Sequence, residues 1–236
     1  MTVARTATSA SPASPWPDRR RIAVVTDPPD GWFAPHAEAL THRLRARGHD
    51  ACSVSRQEEV PAGDIAFYLS CTRLTPPGLL ARNRWNLVVH ASALPRGRGF
   101  SPLAWQVLEG RNDIPLTMIT MAREADAGDI VMQRHLRFRG HELNDEMRAR
   151  MGAEITGMCF ELATAPAPPV VRPQEGEPSH YPRRRPADSR LDPHRTLADQ
   201  FDLLRTVDND RYPAFFDLRG HRYVLKIHRQ HEGEEG

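Results

Sequence analysis

Three short apolar runs, Ile22-Ala-Val-Val25, Ile65-Ala-Phe-Tyr-Leu69 and Leu87-Val-Val89, restrict what this chain can fold into. Each is too short for a helix and carries apolar residues on both faces that a strand would present, the pattern of strands covered on both sides. Ala51 to Val54 adds a fourth strand. Between the first and second strands, His36 to Arg47 places Ala37, Leu40 and Leu44 at helical spacing, and Gly48 stops the helix. Pro77 to Ala81 begins a short helix that leads into the Leu87 run. Strand, helix, strand, strand, helix, strand is the opening of a doubly wound α/β sheet. The first turn, Asp27-Pro-Pro-Asp-Gly31, lacks Gly-x-Gly-x-x-Gly, so a dinucleotide site of the Rossmann type is not expected there.

In such a sheet ligands gather beyond the carboxyl ends of the strands. His90 ends the Leu87 run, and Ser92 to Gly99 follows it as a polar, glycine-containing loop. Further on, Pro102 to Leu108 reads as a helix and Leu116 to Met121 as a strand. Ile130–Met132 and Leu136–Phe138 read as a β-ribbon. The segment Glu142 to Leu162 puts Leu143, Met147, Met151, Ile155, Met158 and Leu162 on one helical face, a core stripe. Residues 164–178 are rich in Ala, Pro and Val without periodicity and serve as a linker. Thr196 to Val207 then reads as a helix with Leu197, Phe201 and Leu204 inward, and Ala214 to Ile227 as a hairpin about Arg219-Gly220. The expected organisation is a lead-in over 1–20, a catalytic domain over 21–163, the linker, a small helix-plus-hairpin module over 179–229, and a tail over 230–236.

Composition excludes several classes. The chain has 236 residues, is 39% hydrophobic and 26% charged, and carries a net charge of +2. That is ordinary for a globular protein, and no run approaches the ~20 apolar residues of a spanning helix. The lead-in lacks the apolar core of at least ~7 residues that a signal peptide needs. Lys226 is the one lysine in the sequence, acids nearly balance the arginines, and no basic stripe with interleaved aromatics appears. A nucleic-acid partner is therefore not expected. The three cysteines, Cys52, Cys71 and Cys159, have neither zinc-site spacing nor an even count, which reads as a reducing cytoplasm, and the histidines form no metal-binding pattern.

The pieces His90-Ala-Ser92, Leu94-Pro95, Arg98-Gly99 and Asp126-Ala-Gly128 resemble the formyltransferases that use 10-formyltetrahydrofolate, a family marked by Asn-x-His, Ser-Leu-Leu-Pro, Arg-Gly and a downstream Asp-x-Gly turn. The longer strings Asn86–His90, Gly99–Gln106 and Glu109–Thr117, with His180–Asp188 and Leu203–Phe215, are similar to the branch that formylates amino sugars attached to nucleotides. The resemblance covers roughly residues 21 to 228. It implies a Rossmann-like formyltransferase domain with 10-formyltetrahydrofolate as co-substrate, a small-molecule amine as acceptor, His90 as acid–base group and Asp126 as its partner. It also points to Thr72, Arg73 and Leu74, and to the backbone of Met121, Ala122, Glu124, Ala125 and Asp126, as the folate site. Ser92, Arg96, Gly97, Arg98 and Gly99 would meet the acceptor, whose diphosphate suits arginine forks and loop N–H groups. Arg96 and Arg98 read equally as solvated loop charges, and Asp129 as a solvated turn carboxylate. Two alternatives stay open, a homologue that binds without turnover and a methionyl-tRNA formyltransferase. The second is disfavoured by the balanced charge and the small C-terminal module. A homodimer also stays open.

One position departs from the family pattern. The asparagine that stabilises the oxyanion stands two residues before the histidine, and here that residue is Val88. Asn86 shares its face of the strand but lies about 13 Å back at about 3.3 Å per residue.

Overall fold

The computed structural model describes residues 16–230. Its elements run β1 (Arg21–Val25), α1 (Ala34–Ala46), β2 (Asp50–Val54), β3 (Gly63–Tyr68), α2 (Pro77–Leu80), β4 (Asn83–His90), β5 (Arg98–Gly99), α3 (Pro102–Leu108), β6 (Asp113–Thr120), β7 (Ile130–Arg137), α4 (Asn144–Thr164), β8 (His180–Tyr181), α5 (Phe201–Thr206), β9 (Ala214–Leu218) and β10 (His221–Leu225). The main sheet has the order β2-β1-β3-β4-β6-β7. β2, β1, β3 and β4 are parallel, with Val25, Tyr68 and Val88 level with one another near one edge. β6 pairs antiparallel with β4, and β7 antiparallel with β6. The reversal has a simple cause. A helix of seven residues, α3, spans only about 10 Å at 1.5 Å per residue, too little to carry the chain back across the sheet. β6 therefore starts from the edge where β4 ended.

Helices cover one face. Ala37, Leu40 and Leu44 of α1 and Met147, Met151, Ile155, Met158 and Leu162 of α4 pack with Ile22, Val24, Leu87, Leu116 and Met118 of the sheet in one buried cluster. The stripe expected over 142–162 is thus core, each such side chain stabilising the fold by about 1.5–3 kcal/mol. α4 begins where the Glu146 carboxylate accepts from the Leu143 N–H at 2.9 Å. On the other face Ala23, Val25, Val60, Ala66 and Tyr68 form a smaller cluster.

Some elements differ from the sequence reading. The ribbon expected over Ile130–Met132 and Leu136–Phe138 is one continuous strand to Arg137, β7, whose intervening polar residues are paired, Arg134 with Glu154 and Glu161 of α4 and Gln133 with Thr117 of β6. The helix expected over 196–207 is a 3₁₀ turn at Ala198–Gln200 followed by α5. Leu197, expected inward, is 63% exposed. The Gln200 amide donates to the Asp192 and Thr196 carbonyls and draws the chain into a tight turn ahead of the helix. The hairpin turns at Arg219 (φ 51°) and Gly220 (φ 82°), the two positive φ values of a type I′ turn. Of the lead-in read over 1–20, residues 1–15 lie outside the described residues, whereas 16–20 pack on the end of α4. There the Trp16 indole donates to Ala165 O (2.8 Å), and the Arg20 guanidinium donates to Ala163 O and Ala165 O (both 2.7 Å). In the tail, 231–236 also lie outside. No helix among the described residues is long and apolar enough to cross a membrane.

Candidate active site

His90 extends two residues beyond Val88, the last position of β4 that pairs with β3, and is buried at 8% exposure. Its Nε2 lies 2.8 Å from Gly97 O, so that nitrogen donates. Its Nδ1 faces Asp126 Oδ1 at 3.5 Å. The other carboxylate oxygen, Oδ2, accepts from the Gly99 N–H at 2.9 Å. The histidine, the loop after β4 and the turn after β6 therefore meet at one carboxylate.

Glycines make this closure possible. Gly97 (φ 74°) is wedged between Ser92 and the Tyr181 ring, each 2.9 Å from where a Cβ would stand. Gly99 (φ 98°) lies against Tyr181 O, and a Cβ on Gly128 would overlap Thr120 O. Asp126 itself holds φ 56°, a left-handed conformation that costs a non-glycine residue about 1–2 kcal/mol and persists where its surroundings enforce it.

A segment far along the chain supplies the enforcement. Arg98 and Gly99 of β5 pair in parallel with His180 and Tyr181 of β8. The Gly97 N–H donates to Ser179 Oγ (2.9 Å), and the Gln174 amide donates to Asp126 O (2.7 Å) and Gly128 O (2.8 Å). Arg98 Nη2 donates to Gln174 Oε1 at 2.9 Å while Nη1 meets Glu124 at 3.1 Å. The stretch read as a linker, 164–178, thus crosses the site, and its Gln174 was not among the residues picked from sequence. The available signal was weak: a lone amide in a run of Pro, Glu and Gly.

The remaining expected residues divide. Ser92 is buried, and its Oγ has no hydrogen-bond partner among the described residues. Arg96 is exposed and its guanidinium makes no ion pair there, unlike Arg98. Thr72 and Arg73 are clamped to Asp27 at the end of β1. Thr72 gives Asp27 Oδ1 its N–H (3.2 Å) and hydroxyl (2.7 Å), and Arg73 stands 3.6 Å from Oδ2. Burial pushes the Asp27 carboxyl up, and the Thr72 and Gln57 hydrogen bonds with Arg73 more than offset it, leaving it below the usual range. Leu74 is 75% exposed beside this clamp. Burial next to Asp27 raises the Cys71 thiol to about 12, so it stays a thiol.

The Met121 N–H donates to Asn86 O at 2.8 Å, after which Ala122, Glu124 and Ala125 are exposed and their N–H groups bond to no other protein group among the described residues. Asn86 is occupied elsewhere, its amide donating to Leu80 O (2.8 Å) and Asn83 O (3.2 Å). Val88 packs against Leu94, Ile119 and Ile130.

A buried imidazole and a carboxylate, held together by glycine turns, stand at the carboxyl edge of a largely parallel sheet, where α/β proteins bind their ligands. The formyl transferase family matches residues 22–157, and the chain belongs to that family. A methionyl-tRNA formyltransferase of Pelotomaculum thermopropionicum is 30% identical over 141 residues, 58% of this chain and 44% of the relative, so the chain spans less than half of that relative's length. Among solved structures, a methionyl-tRNA formyltransferase from Clostridium thermocellum superposes with a TM-score of 0.76 at 23% identity, covering 91% of this chain and 95% of the other. A sugar N-formyltransferase from Shewanella sp. FDAARGOS_354 gives 0.60 at 14%, covering 89% and 98%. HypX from Aquifex aeolicus, in complex with tetrahydrofolic acid, gives 0.67 at 17%, covering 89% and 38%. At these identities the three structures establish the fold.

Proposed function

We propose that the protein is an N-formyltransferase that moves a formyl group from 10-formyltetrahydrofolate to a primary amine, and that the amine belongs to a nucleotide-linked amino sugar or a related small intermediate. The observation that carries this reading is the His90–Asp126 pair, set 3.5 Å apart with Gly97 and Gly99 fixed around it. The residues around it suit the co-substrate. The free N–H groups of 122–125 offer donors to the edge of a flat polar heterocycle, and exposed Leu74 offers an apolar contact. When bound there, 10-formyltetrahydrofolate supplies the formyl carbon.

The transfer forms a bond from the amine nitrogen to that carbon and breaks the bond from the carbon to N10. The amine loses one proton and N10 gains one, so no oxidant or reductant is involved. Nδ1 of His90 is the atom to take up the proton, because Nε2 already donates to Gly97 O in the neutral ring. Asp126 then holds the charged ring in place before the proton passes on. Arg96, exposed and unpaired, suits an anionic acceptor, whereas Arg98 is occupied in holding the loops. The three free cysteines accord with a reducing, cytoplasmic setting.

Val88 favours a second reading, a homologue that binds folate without turnover, since it stands where the family pattern has an oxyanion-stabilising asparagine. The deciding experiment incubates the protein with 10-formyltetrahydrofolate and a panel of amino-sugar nucleotides, with charged initiator tRNA alongside, and looks by mass spectrometry for the gain of one formyl group. Formylation of a sugar nucleotide is the expected result. Folate binding with no product across the panel would establish the second reading, and product on the tRNA alone would replace the acceptor.

A further inference from the structure

Residues 170–180 are exposed at every position except Gln174, which is half-buried. The backbone on either side of it is fixed. Arg172 exchanges two main-chain hydrogen bonds with Ile130 at the start of β7 (2.7 and 2.9 Å), and Ser179 O accepts from the Arg98 N–H at 2.9 Å. Between these anchors the Gln174 amide spends both donors on the turn that carries Asp126, at Asp126 O and Gly128 O, and takes its acceptor bond from Arg98. A primary amide has two N–H donors and a carbonyl, so each kind of group is engaged. Arg98 immediately precedes Gly99, whose N–H holds Asp126 Oδ2. One side chain therefore spans the two loops whose separation sets the distance from Asp126 to His90.

We propose that Gln174 is a positioning residue for formyl transfer, a bridge that holds Asp126 in its left-handed turn and against the histidine without touching substrate. Carbonyls 126 and 128 stand one before and one after Ala127, so two bonds from one amide hold both ends of the turn. When they are removed, the Asp126 carboxylate keeps its hydrogen bond from the Gly99 N–H, on a loop whose Arg98 has lost Gln174 and reaches the turn only through exposed Glu124. Displacement of a catalytic group by about 1 Å can cost up to about 100-fold in rate.

The proposal rests on formyl transfer being the reaction, so its test includes an arm that needs no turnover. Gln174→Met removes all three bonds at similar size. Gln174→Glu keeps the acceptor for Arg98 but sets an oxygen against the two carbonyls. In both variants of the full chain kcat is expected to fall at least ~10-fold, with the KM of amine and folate moving less than ~3-fold and the thermal midpoint unchanged, the signature of an interaction made in the transition state. The NMR signals of the His90 ring are expected to shift in both variants at fixed pH, as the carboxylate moves away from Nδ1. Wild-type kcat with unchanged ring signals in either variant overturns the proposal, as does a lower thermal midpoint with kcat per folded molecule preserved. Should the wild type prove inactive, the function reading fails and the ring signals alone decide whether Gln174 sets the pair.

Discussion

At the scale of single residues, His90 and Asp126 have separable parts in the chemistry. In the proposed mechanism the histidine moves a proton and the aspartate fixes the ring that moves it, so each loss would remove a positioned acid–base function rather than a packing contact. His90→Asn and Asp126→Asn are each expected to lower turnover by at least ~100-fold with far-UV circular dichroism and thermal midpoint retained. A near-normal rate in either variant removes that residue from the mechanism. Val88 gives the opposite kind of prediction. Its side chain packs against Leu94, Ile119 and Ile130, so Val88→Asn places an amide among apolar groups and is expected to cost about 1–3 kcal/mol in a urea titration without raising kcat. A faster and equally stable variant would show that the natural site lacks an oxyanion donor it can use.

At the scale of elements, the sheet and its helices were legible because each carries a periodicity that burial demands. The α4 stripe from Leu143 to Leu162, the doubly apolar β1 and β3, and the Arg219-Gly220 turn all stand where the pattern put them. His90, Asp126 and the glycine loop, which the structure brings together, drew notice for a different reason, since their types and spacing resemble the family motif. The failures share a cause. The helix expected from 196 begins late because Gln200 bonds to the backbone ahead of it, and Gln174 was overlooked because its partners lie at positions 98, 126 and 128. Side chains that act through contacts remote in sequence leave no local period. The contact between α1 and α4 is a further case. Gly152 faces the His36 ring so closely that a Cβ would overlap it. Gly152→Ala is expected to destabilise the fold by about 1–3 kcal/mol through overpacking, despite the better helix propensity of alanine. A rise in thermal midpoint would mean that the ring swings clear.

At the scale of the whole molecule, Arg205 of α5, which is 1% exposed, fastens that helix to the loops ahead of β6 and α4. Its guanidinium reaches Asn112 Oδ1 (2.8 Å) and Glu142 O (3.1 Å), and stands 3.6 Å from the Glu142 carboxylate. Arg205→Met leaves Asn112 and the Glu142 carbonyl without this donor, while the Glu142 carboxylate keeps Arg150 at 2.9 Å, and is expected to cost about 1–3 kcal/mol in urea unfolding. Acid acts on the same joint. Burial pushes the Glu142 carboxyl up, but the N–H groups of Arg139 and Gly140 outweigh it and hold it below the usual range. A carboxylate whose folded value is depressed contributes stability that is complete above its unfolded value and is lost as pH falls through the folded one. The urea midpoint is therefore expected to decline below about pH 4.5, and Glu142→Gln to flatten that decline. The ties from residues 174–181 to the catalytic loops also order events in time. A ribosome extrudes the whole six-stranded sheet, together with His90 and Asp126, before Gln174 and Tyr181 emerge, and domains generally fold as units during synthesis. A nascent chain paused after α4 would hold a complete sheet whose loops lack their fasteners, so the loops would take their final arrangement only once residues 174–181 had been made.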